Sequence, residues 1–116
     1  MHLAAHTRIY LAVGATDLRK AIDGLSILVA DRLALDPLSG HLFVFCNRRR
    51  NMIKILYWDR NGFCLWQKRL ERHVFSWPKG SEQVIGLDAR QLSWLLEGLD
   101  IAALSGHESL AYSTVI

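Results

Sequence analysis

The chain has 116 residues, 51% of them hydrophobic and 22% charged, with a net charge of +3. That length suits one domain built on one hydrophobic core. There is no run of about 18 apolar residues to cross a membrane. The first eight residues lack the basic start and apolar centre of a secretory signal, so a cytoplasmic location is expected.

In chain order, Arg8–Val13 is a short β-prone run closed by Gly14-Ala15. Thr16 or Asp17 is placed to cap a helix with its side-chain oxygen. Leu18, Ala21, Ile22, Leu25, Leu28, Val29 and Leu33 then recur at three- and four-residue steps, the period of a helix burying one stripe. Asp36-Pro37 ends that helix, because the residue before proline avoids the α region. Leu42–Cys46 and Met52–Trp58 read as strands joined by the polar connection Asn47–Asn51. Asn61-Gly62 is a strong hairpin signal, since a type I′ turn needs positive φ at both positions. It links Met52–Arg60 to Phe63–Leu70. A short strand, Val74–Trp77, stops at Pro78, and Lys79–Gly86 reads as a loop. Asp88 starts a second helix, with Gln91 completing a capping box. Leu92, Leu95, Leu96 and Leu99 form its buried stripe, and Gly98 stops it.

These elements predict one α+β domain over residues 1–104, followed by a C-terminal tail, 105–116. The expected architecture is a mostly antiparallel sheet of four to five strands with a central hairpin, packed by two helices. A turn at Asn61-Gly62 sets the hairpin register. Lys54, Leu56, Trp58 and Arg60 then share a face with Phe63, Leu65, Gln67 and Arg69. Ile53, Ile55 and Tyr57 share the other with Trp66, Lys68 and Leu70, and Phe43 and Phe45 are expected to join them. The second face reads as core. The first is basic with an aromatic in it, the way a sheet can meet nucleic acid.

Charge is unevenly distributed. From Arg48 to Lys79 nine Lys/Arg stand against Asp59 and Glu71, a balance of +7, while the remainder has five Lys/Arg against nine Asp/Glu, a balance of −4. Arg48, Arg49 and Arg50 present guanidinium forks that fit phosphate, with Lys54, Arg60, Arg69 and Arg72 as basic neighbours. The alternative is a solvated loop. Trp58 is a stacking candidate, unless a helix covers it. Arg19 and Lys20 fall in the expected first helical turn, where the macrodipole disfavours cations. Asp17, Arg19 and Lys20 are therefore candidates for partner binding, the alternative being an internal pair between Asp17 and a neighbouring cation.

Catalysis finds no support. No two carboxylates sit at a persuasive spacing for divalent metal, the histidines are scattered, and no phosphate-cradling glycine loop is present. Cys46 and Cys64 lie too far apart for a zinc-ligand spacing and read as small buried hydrophobes. A non-enzyme without cofactor or metal is expected.

The chain resembles a known family. The motifs are Thr16-Asp17-Leu18-Arg19-Lys20 with Asp23-Gly24-Leu25, Asp36-Pro37-Leu38-Ser39-Gly40 before Leu42–Phe45, Asn47–Arg50, and Ile53–Phe63. Lys68–Glu71, Phe75–Pro78 and Leu95–Leu99 complete the set. In order and spacing these are similar to the small TnpB-type accessory protein, the second open reading frame of the insertion sequence 66 family of bacterial transposable elements. It is distinct from the RNA-guided nuclease of the same name. The resemblance implies a non-catalytic factor that assists DNA transposition beside a separate transposase. Its expected partners are element DNA or the transposase–DNA complex, met through the basic loop and face. The alternative is an adaptor that docks on the transposase without touching DNA. No membrane partner is implied, and homo-oligomerisation is left open. Two departures stand out: Asn51 where the family commonly has Asp, and His73-Val74 in place of a glycine-containing turn.

Overall fold

The computed structural model describes residues 3–105 and the backbone of 113–114; the rest, including most of the tail read from 105 onward, lies outside the described residues. Strand β1 (Ile9–Ala12) leads through helix α1 (Ile22–Asp31) into β2 (Leu42–Cys46), which lies parallel beside β1 with Ile9 opposite Leu42 and Leu11 opposite Val44. Every residue of both strands is buried. That is why neither alternates in polarity, as expected of strands covered on both faces.

The chain then adds β3 (Met52–Asp59) against β2 and β4 (Gly62–Arg69) against β3, both antiparallel. Strand β5 (Val84–Leu87) runs antiparallel to β1 on the other side, edged by the two-residue β6 (Ser113–Thr114). The order is β4-β3-β2-β1-β5-β6. Helices α2 (Ala89–Leu96) and α3 (Ile101–Ser105) follow β5. The expected α+β class with its mostly antiparallel sheet is borne out, and β1–β2 is the one parallel pairing among the described residues.

Two cores lie on opposite faces of the sheet. Tyr10, Phe43, Phe45 and Leu56 pack beneath Leu25 and Val29 of α1. On the other face Leu11, Val44, Ile53 and Ile55 pack with Phe75, Trp77, and Leu92 and Leu95 of α2. Trp77 closes that layer, its ring N–H donating to the Ala12 carbonyl at 3.0 Å. The predicted capping box of α2 is present: Asp88 accepts from the Gln91 N–H at 2.7 Å, and the Gln91 side chain accepts from the Asp88 N–H at 3.0 Å. Gly98 follows with φ +86, as its place after the helix predicted.

Several expectations are corrected. The hairpin turn is Arg60-Asn61, so Asp59 faces Gly62, Trp58 faces Phe63 and Lys54 faces Gln67. This moves the register by two partners. Because side chains alternate with period two, each residue still keeps its predicted face. Phe43 and Phe45, however, lie opposite Leu56 and Lys54, on the face first read as open and basic. That face is covered by α1. Val74–Trp77 is not a strand, whereas Val84–Leu87, read as a loop, is β5. Its single interior glycine, Gly86 opposite Tyr10, masked the β pattern. Leu99 is exposed.

Helix α1 begins at Ile22, with no side-chain cap on Ala21. Residues 14–20 form a strap instead, and the reason lies in its partners. The Thr16 N–H donates to the Cys46 carbonyl at 2.8 Å. The Asp17 carboxylate accepts from the Arg19 N–H at 3.0 Å. The Lys54 ammonium occupies the carbonyls of Leu18 and Lys20 at 2.7 and 3.1 Å. A helix begun at Asp17 would need the Leu18 carbonyl for its own ladder.

Candidate nucleic-acid interface

Because β1 and β2 are parallel neighbours, the strap after β1 and the loop after β2 emerge at the same end of the sheet, at the strands' carboxyl ends. This is where open α/β sheets commonly place ligands. A cavity of ≈ 530 Å³ opens there between Asp17, Leu18 and Arg19 on one side and Asn47, Arg48 and Arg49 on the other, with Met52 also in its wall. An adjoining groove shares Ala15–Asp17 and Arg48 and adds Lys20 and Arg32. Five cations and one carboxylate line this region.

The Asn47–Asn51 loop is built around one side chain. The Asn47 carbonyl oxygen accepts from the N–H groups of Asn51 and Met52, both at 3.1 Å, and its amide donates to Asn51 Oδ1 at 2.7 Å. Asn51 thus closes the loop through an acceptor oxygen that an aspartate would also supply. Arg50 adopts φ +62, and its carbonyl accepts from the Phe75 N–H at 2.7 Å. That geometry throws Arg48 and Arg49 outward, both exposed. Neither has an ion-pair or hydrogen-bond partner among the described residues.

The cation at Arg19 differs. It grips Asp17 through two nitrogens, Nε at 2.9 and 3.2 Å and Nη2 at 2.8 Å, which is the internal pair anticipated as the alternative. The Arg19 guanidinium holds the Asp17 carboxyl well below the usual carboxylate range, with the Arg19 backbone N–H adding to the effect.

The predicted site residues divide. Arg48, Arg49, Asp17, Arg19 and Lys20 come together, although the loop and the strap were read as separate surfaces. Arg69, opposite Met52, lies at this end of the sheet but pairs with Glu71 at 3.1 Å; Arg72 is exposed just beyond it. Arg50 turns its guanidinium toward Cys46 and lines a different cavity with Phe75, Trp77 and Asp100. Burial pushes the Cys46 thiol up to about 11, with Arg50 opposing. Lys54, only 9% exposed, spends its charge on strap carbonyls and offers none to a phosphate. Arg60 sits at the hairpin tip, roughly 25 Å along the strand from the loop at about 3.4 Å per residue. Trp58 packs edge-on to Phe63 at 5.1 Å. Arg32 was missed: it follows α1, far in sequence from Arg48, and only the folded chain brings the two to one groove.

Among the described residues no group of three or more His, Cys, Asp or Glu could hold a metal ion, and no helix is long and apolar enough to cross a membrane. The profile of the family described as "IS66 Orf2 like protein" matches residues 7–106. Two proteins of Sinorhizobium fredii (strain NBRC 101917 / NGR234) are similar along most of their length. Uncharacterized protein y4hO is 40% identical over 95 residues, 82% of this chain and 83% of the relative. Uncharacterized protein y4jC is 34% identical over 93 residues, 80% of each. No solved structure matches the chain.

Proposed function

The chain belongs to the IS66 Orf2 like family, a membership that carries an accessory role in transposition, and we propose that it performs this role by binding the phosphate backbone of element DNA at the Arg48–Arg49 cavity. One observation carries the reading: two exposed arginines, unpaired among the described residues, stand on a loop pinned by Asn47, across a cavity from a second cationic segment. A preformed loop loses little entropy on binding, and an unpaired guanidinium gives up no internal bond to meet a phosphate. Arg69 and Arg72 extend the same end of the sheet. The contacts so arranged are to backbone phosphates, which position a protein on DNA without reading its sequence.

Fluorescence anisotropy with duplexes carrying the element's terminal repeats tests this over a salt series. Replacing Arg48 and Arg49 by Ala is expected to weaken binding and to reduce the salt slope by roughly 2, at about 0.9 per phosphate contact. An unchanged affinity in that variant rejects the site, and no binding at any salt rejects the DNA role.

The Asp17–Arg19 pair supports a second reading, an adaptor that docks on the transposase. It places a carboxylate in the cavity wall, which a partner of mixed charge accommodates better than a polyanion does. Co-purification with the transposase that survives nuclease treatment supports the adaptor; its loss under nuclease counts against it.

A further inference from the structure

The Asn47–Asn51 loop stands between two cavities, one toward each face of the sheet. Arg48 shares its groove with Leu28, Arg32 and Leu33 on the α1 side. Arg50 lines a cavity of ≈ 480 Å³ on the other side, with Phe75 and Trp77 of the α2 core, Lys79, Asp100 and Ala102. The Arg50 backbone is held at both ends, its N–H donating to the Asn47 carbonyl at 3.1 Å and its carbonyl accepting from Phe75. Its guanidinium is not matched in the same way. Nη1 is buried without a hydrogen-bond partner, and no ion pair includes Arg50, among the described residues. The Cys46 thiol that it faces is neutral at physiological pH and supplies no countercharge. Asp100 lines the cavity too, but its Oδ1 accepts from the N–H groups of Ala102 at 3.0 Å and Ala103 at 3.5 Å, capping α3. Lys79 is exposed and likewise unpaired among the described residues.

From this arrangement we infer that Arg50 and Lys79 form a second phosphate site, across the loop from the cavity of Arg48 and Arg49. A cation drawn partly out of water without a countercharge is costly, and a bound oxyanion supplies that charge. Because the charge of a guanidinium is delocalised over its three nitrogens, an anion in the cavity also neutralises the part that Nη1 carries inward. A planar guanidinium beside an ammonium on a flexible stem suits a tetrahedral oxyanion of more than one charge. Two cations against one carboxylate leave the cavity positive, and that carboxylate is engaged with helix amides. The phosphate has two possible sources. A DNA backbone crossing the loop places phosphates in both cavities, whereas free inorganic phosphate needs only this one. The DNA source rests on the function proposed above; the site itself does not.

Inorganic phosphate is titrated into the full chain carrying Arg48→Ala and Arg49→Ala, which silences the first cavity, and NMR follows the Trp77 indole N–H and the Ala102 amide. A saturable shift of both is expected. Adding Lys79→Ala, at an exposed position that the fold does not depend on, is expected to abolish it. No saturable shift, or one that survives Lys79→Ala, overturns the inference. Lys79→Ala with Arg48 and Arg49 intact then identifies the source. A salt slope on duplex DNA lowered by about 0.9 assigns the phosphate to the DNA backbone. An unchanged slope beside a phosphate-dependent shift assigns the site to free phosphate and leaves the Arg48–Arg49 reading untouched. A parent chain that shows the shift but binds no DNA rejects the proposed DNA role alone.

Discussion

The ammonium of Lys54 meets the carbonyl of Leu18 at 2.7 Å, tying the first half of β3 to the strap that leads into α1. The same nitrogen holds the Lys20 carbonyl. One buried cation thereby anchors the segment that forms a wall of the Arg48–Arg49 cavity. A lysine that reads as part of a basic face is a tie between the sheet and the site.

Lys54→Met keeps the stem's volume and removes both bonds. Hydrogen bonds to charged groups contribute about 1.5–3 kcal/mol, offset in part by the desolvation a buried ammonium no longer suffers. The expected result is a loss of about 1–2 kcal/mol, read as a lower urea midpoint at unchanged slope. A variant as stable as the parent, yet weakened in DNA binding, would return Lys54 to the interface.

Asp17→Asn retains an oxygen for the Arg19 N–H and so preserves the turn, but it releases the guanidinium from its ion pair. If DNA occupies the cavity, affinity rises and the salt slope steepens by about 0.9, one further phosphate contact. A transposase-docking role for the pair predicts weaker co-purification instead.

Arg60 holds φ +55 in the hairpin turn, a region that side chains with a Cβ enter at a cost of about 1–2 kcal/mol. Arg60→Gly relieves this strain, while the freer unfolded chain takes back part of the gain. A net stabilisation of about 0.5–1 kcal/mol in thermal unfolding is expected. DNA affinity should be unaltered, since the tip lies at the far end of the hairpin from the cavity.

Nδ1 of His41 accepts from the Arg8 N–H at 3.0 Å, a bond that the protonated ring cannot accept. Burial, and then Arg8, lower its pKa below the ordinary 6.5; Asp36 acts in the opposite sense. The unfolded chain therefore binds this proton at higher pH than the folded one. The associated stability is present above pH 6.5 and is lost as pH falls from there through the folded value. Chemical denaturation between pH 7.5 and 5 should show that acid-side loss, and His41→Gln should flatten it.

Features closed within a few residues were legible in advance. Asp88 and Gln91 satisfy each other three residues apart, and Gly98 ends its helix where predicted. The β3–β4 faces survived a displaced turn because a shift of two preserves alternation. Strand β5 was not legible, since four residues with an interior glycine show a β pattern only once Tyr10 lies opposite. The start of α1 was obscured similarly: Thr16 and Asp17 are good caps locally, but Cys46 and Lys54 hold the strap open.

By itself, then, the sequence determined the α+β class, the hairpin faces and the gathering of positive charge between Arg48 and Lys79, because each depends on local periodicity or short-range bonding. Tertiary structure alone decided which charges meet. The parallel pairing of β1 with β2 sets the strap beside the arginine loop, and burial turns Lys54 and Arg50 inward. Long-range pairing selects among many locally acceptable arrangements, and no local pattern records that selection.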